Sequence, residues 1–109
     1  MLQSFLKEIE KEAEKIFPDA TIDYKIVRST HLYFRIKIDK ATLIDIYFNT
    51  ETQRKDFSLI FRNKRVYGID NLLNWHQHPY NSPDTHIPLP EPSIKEILAE
   101  MRKVVDMFL

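Results

Sequence analysis

The stretch "HLYFRIKIDKATLIDIYFNT", residues 31–50, decides the fold. Leu32, Phe34, Ile36 and Ile38 alternate with Tyr33, Arg35, Lys37 and Asp39. After "DKA", Ile44, Ile46 and Phe48 alternate with Leu43, Asp45, Tyr47 and Asn49. A period of two places one set on an apolar face and the other towards water, the mark of half-buried strands. So short a connection predicts an antiparallel pair. The pattern extends outward. Ile22, Tyr24 and Ile26 predict a strand before it, and Phe57, Leu59 and Phe61 one after it. "KRVYGID" (64–70) adds a fifth after a turn at Asn63–Lys64, and Gly68, the only glycine, marks a bulge or a close backbone approach.

Outside the strands the period becomes helical. Leu2, Phe5, Leu6, Ile9, Ala13, Ile16 and Phe17 form one stripe, ended by Pro18. Ile94, Ile97, Leu98, Met101, Val104, Val105 and Phe108 form another, with Ser93 and Glu96 spaced as a capping box. The expected fold is a single α+β domain over 1–109. It has a helix at 1–17, an antiparallel meander of four to five strands at 20–70, a histidine- and proline-rich loop at 71–92 and a helix at 93–108. Both helices should cover the face made by Phe34, Ile36, Ile46, Phe57 and Leu59.

Sixteen basic residues balance sixteen acidic ones, which argues against a strongly basic nucleic-acid binder. The distribution is uneven, with ten Lys or Arg against five acids between Ala20 and Val66. The absence of cysteine excludes disulfides and thiolate zinc sites. The start does not read as a signal peptide and no apolar run is long enough for a membrane span, so a cytoplasmic location is expected. The abundance of Lys, Glu and Ile fits a thermophilic source.

The predicted open face carries Tyr33, Arg35, Lys37, Tyr47 and Arg62. Such a face can meet phosphates with its cations and stack bases on its tyrosines. It can equally be an ordinary solvated face with cross-strand pairs such as Lys37 with Asp45. A sharper signal is "NWHQHPYNSPDTHIP" (74–88), which holds three of the four histidines and three of the six prolines. In an extended "HQH", His76 and His78 point the same way, and Pro79 favours extension at His78. Three roles compete. The imidazoles can serve as general base and acid, as cleavage of RNA requires. They can bind a divalent ion, with Asp70 or Asp84. They can simply bridge backbone carbonyls. The leading expectation is acid–base chemistry, with His76 or His78 as base, His86 as acid and Asp70 orienting an imidazole. Asn71 would hold the loop or a phosphate. No cofactor and no permanent metal are expected. His31 stands apart and reads as structural. Glycine-rich phosphate loops, a nucleophile elbow and an H-E-x-x-H motif are all missing.

Residues 43–98 resemble the TumE-type family of toxin–antitoxin proteins. The likeness runs through "IDIYFNTET", "RKDFSLIFRN", "YGIDN", "WHQHP", "DTHIP" and "EPSIKEI". It implies a toxin-like protein with a ribonuclease-like activity, paired with a helix-turn-helix antitoxin. The residues it carries over are Asp70, Asn71, His76, His78 and His86. The spaced histidines here depart from the adjacent ones of many members.

Overall fold

A computed structural model describes residues 2–108; Met1, part of the expected first helix, lies outside them. The order is α1 (Leu2–Ile16), β1 (Thr21–Val27), β2 (His31–Lys37), β3 (Thr42–Asn49), β4 (Arg54–Phe61), β5 (Lys64–Asp70), β6 (His76–His78), β7 (Ile87–Pro88) and α2 (Ile94–Phe108). The strands form one antiparallel sheet in sequence order. The meander is therefore as expected, but it has seven strands rather than four or five. The extra two are only three and two residues long. They lie among prolines, and Pro88 has no N–H to donate, which is tolerated at a sheet edge.

The helices pack on the face the alternation marks. Phe34, Ile36, Ile46, Phe57 and Leu59 are all buried there. The Phe5 ring of α1 lies 4.6 Å from Phe48 and 6.2 Å from Phe57. Phe108 of α2 lies 4.6 Å from Phe61. Burying a side chain such as Leu59 contributes about 1.5–3 kcal/mol. The capping box forms as predicted: Glu96 N donates to Ser93 Oγ at 3.1 Å and Ser93 N to Glu96 Oε1 at 2.9 Å.

Two bulges break the alternation. One lies between Ile22 and Tyr24, so Tyr24 and Ile26 oppose Arg35 and Tyr33 on the open face. All of β1 is exposed, which corrects its reading as a half-buried strand. The other lies between β4 and β5: Leu59 faces Tyr67 and Ile60 faces Arg65, leaving Val66 as the extra residue. Strand parity changes across it, and Arg65 joins the open face. The β4–β5 turn is Arg62–Asn63, one residue earlier than expected, with φ of 51° and 67°. Positive φ at both central positions suits the right-handed twist of a two-residue hairpin.

Candidate functional site

The uncovered face of the sheet is organised in cross-strand rows. One runs Tyr33, Tyr47, Asp56, Asp70, His76 across β2 to β6. The next runs Arg35, Asp45, Ser58, Gly68, His78. The histidine segment thus extends the sheet beside β5, and the 79–86 loop folds back over it. His78 is 4% and Asp70 5% exposed, so both are buried although they lie on the face away from the helices. Gly68 explains part of this. A Cβ there would stand only 3.3 Å from Phe57 O, and 3.6 Å from His78 Cδ2, so the His78 ring packs at contact distance over the glycine.

Three of the predicted site histidines and Asp70 come together. His78 Nε2 is 3.0 Å from Asp70 Oδ2, and His76 Nε2 is 3.2 Å from Asp70 Oδ1. The two Nε2 atoms are 3.2 Å apart. The His86 ring stacks on His76 at 4.7 Å and meets His78 edge-on at 4.5 Å. The backbone sets the tautomers. His78 Nδ1 donates to Pro83 O at 3.0 Å and His76 Nδ1 to Asn74 O at 2.8 Å. A carbonyl only accepts, so these contacts favour a hydrogen on each Nδ1; the carboxylate that both Nε2 atoms face is also an acceptor, and Arg65 Nη2 reaches His78 Nδ1 at 3.5 Å. Asp70 is itself oriented by Leu72 N, which donates to Oδ1 at 3.0 Å. The carboxylate that joins the imidazoles is Asp70; Asp84 is exposed in the loop.

The other predicted residues divide. Tyr33 and Tyr47 form an open-face pair, 5.2 Å between centroids. Asp56 separates Tyr47 from Asp70 in their row, so Tyr47 stands about 10 Å from Asp70. Arg35 is on this face but its charge is already matched. It binds Asp45 through Nε at 2.6 Å and Nη2 at 2.8 Å, which holds the guanidinium well above its ordinary pKa. Asp45 therefore pairs with Arg35, not with Lys37, which is exposed opposite Leu43. Arg62 does not belong to the site. It sits in the β4–β5 turn over the Phe61 ring, and Asp70 closes the other end of β5, roughly 20 Å along the strand. Asn71 is a structural latch: Oδ1 accepts from Lys55 N at 2.7 Å and Nδ2 donates to Gln53 O at 2.8 Å. His31 bonds Thr30 Oγ1 and Asn49 Nδ2 at the far end of β2.

Arg65 is the residue that sequence reasoning missed. Its exposed side chain passes Gly68 and reaches Pro83 O at 3.4 Å, beside the His78 ring. Its position follows from the bulge at Val66, which no local pattern in "NKRVYG" announces. Comparison of the chain with models of protein families, with curated proteins and with solved structures finds no match in any of the three. None of them identifies the TumE-type family.

Proposed function

We propose that this protein acts on RNA phosphodiesters at the His76–His78–His86–Asp70 centre, as the toxin-like member of a toxin–antitoxin pair. The observation that carries the reading is the shared row: buried Asp70 and half-buried His76 lie in line with the Tyr33–Tyr47 platform on the one face the helices leave uncovered. Bases would stack on Tyr47 and Tyr33, a contact that is tolerant of sequence. Arg65 would offset phosphate charge beside the centre. The centre would work as a unit. With Nε2 atoms 3.2 Å apart, His76 and His78 leave no room for a phosphate between them, so one of them would act as base with His86 as acid. A strand would approach from the side of His86, which is exposed.

The test is cleavage of a mixed-sequence single-stranded RNA by purified protein. The expected result is cleavage by the wild type, lost in His86→Ala and weakened in Tyr47→Ala. Intact RNA under every condition would remove the reading. A helix-turn-helix protein encoded beside this chain, able to suppress the cleavage, would support the antitoxin part.

A second reading is favoured by one observation. Tyr24, Tyr33, Tyr47 and Arg54 line a cleft of about 300 Å³ on the same face. A non-catalytic binder of single strands would use it. Salt-sensitive RNA binding that survives His86→Ala, without cleavage, would select that reading.

A further inference from the structure

We infer that His76, His78, His86 and Asp70 form a binding site for one divalent transition ion of the Zn²⁺ class. The inference concerns the same centre but does not depend on RNA being its substrate.

The first argument is charge. The Nδ1 hydrogens of His76 and His78 are committed to backbone carbonyls. Two Nε2 atoms and a buried carboxylate converge within 3.2 Å of one another. A second carboxylate, Asp56, faces Asp70 directly across β4 and β5, which is unfavourable for two like charges. Asp56 has cover from Arg54 Nη2 at 3.4 Å and Ser58 Oγ at 3.0 Å. Among the described residues, Asp70 meets the Leu72 amide and the two imidazoles. A divalent ion at the midpoint of the two Nε2 atoms and the carboxylate would contact all three at once.

The second argument is distance. An ion held at 2.0–2.1 Å in a tetrahedron sets its ligand atoms about 3.3 Å apart. The two Nε2 atoms are 3.2 Å apart, and each lies 3.0–3.2 Å from its own oxygen of the Asp70 carboxylate. A ring nitrogen of each of His76, His78 and His86 lies within 4.8 Å of the other two, so a small loop adjustment brings His86 to the fourth corner.

The third argument is the surrounding shell. Histidines that bind metal usually donate their other N–H to a carbonyl or carboxylate, which fixes the ring and the tautomer. Pro83 O and Asn74 O do this here, and Leu72 N orients the carboxylate. Three nitrogens and one oxygen suit Zn²⁺ and its first-row neighbours, and not Ca²⁺ or Mg²⁺, which take oxygen ligands.

The experiment uses the full chain purified without an affinity tag. It is loaded with Zn²⁺, dialysed, and assayed for metal by mass spectrometry and for affinity by chelator competition. The expected result is one ion per chain. Co²⁺ should give the intense visible bands of four-coordinate cobalt. His86→Ala, on an exposed loop, should weaken Zn²⁺ binding by more than about a hundredfold, beyond the loss typical of an outer-shell partner. Asp70→Asn should do the same, and His31→Ala should leave affinity unchanged. Circular dichroism confirms folding, and His86→Ala carries the test if His78→Ala unfolds. A chain that retains no ion, or variants that bind as well as the wild type, would overturn the inference. Zinc bound without RNA cleavage supports the metal site and counts only against the RNA reading. Cleavage by a chain that takes up no zinc overturns the metal site alone.

Discussion

The two faces of this sheet are stabilised differently, and β5 shows it within four residues. Tyr67 and Ile69 enter the helix-covered core, while Gly68 and Asp70 face the histidines. Even Tyr67 finishes its polar end locally. Its hydroxyl donates to Gln77 Oε1 at 3.0 Å, and burial pushes the phenol up to about 12. The helix side is stabilised mainly by apolar area, and its buried carboxylate, Glu12 of α1, lies 3.9 Å from Lys15 Nζ. The open side holds a buried carboxylate with two imidazole Nε2 atoms converging on it. A face closed by packing carries the stability, and the uncovered face carries the proposed site.

That contrast can be broken by substitution. Phe57→Ala on the packed face should cost about 3–5 kcal/mol, through lost burial and a cavity under Phe5. Urea unfolding measures it, and a loss below about 1 kcal/mol would mean that the helices do not depend on that face. Gly68→Val should cost about 1–3 kcal/mol, because its side chain must enter the space of the His78 ring. It should also abolish metal uptake, whereas unchanged uptake would show that the ring need not sit there. Asn71→Ala should lower stability by about 1–2 kcal/mol through two lost bonds to backbone, with RNA cleavage retained per folded molecule. Cleavage lost at unchanged stability would make Asn71 a substrate contact instead. His86→Ala should shift stability by less than about 0.5 kcal/mol and still remove activity. Smallest of all is the α2 cap. Ser93 N, donating to Glu96, holds its carboxyl below the usual range. A lowered folded value contributes stability above the unfolded carboxylate range, near 4.3, and loses it as pH falls through the folded value. Glu96→Gln should therefore differ from the wild type at neutral pH and converge with it in acid.

The packed face was legible because alternation and helical spacing are local. Phe34, Ile46 and Leu59 needed no knowledge of their partners. So was part of the site: an extended "HQH" beside Asp70 places two imidazoles on one side. What remained hidden depends on non-local registry. A single extra residue at Val66 moved Arg65 onto the open face, while the turn took Arg62 away from it. Arg35 read as a free cation until the register set Asp45 against it. Asn71 read as a site residue because its partners, Lys55 N and Gln53 O, lie on another strand and turn. The short strands β6 and β7 are held by pairing with their neighbours rather than by a pattern of their own.

The open-face centre is proposed to hold a divalent ion, and the helix-covered core has no comparable cluster of ligands among the described residues. Thermal unfolding with and without Zn²⁺ tests this most directly. Binding confined to the folded state stabilises it by about 2.7 kcal/mol when free ion is a hundred times the dissociation constant. The account predicts that Tm rises with Zn²⁺ in the wild type and in His31→Ala, and stays flat in Asp70→Asn and His86→Ala. A wild-type Tm that does not move with Zn²⁺, or one that moves equally in Asp70→Asn, would contradict it.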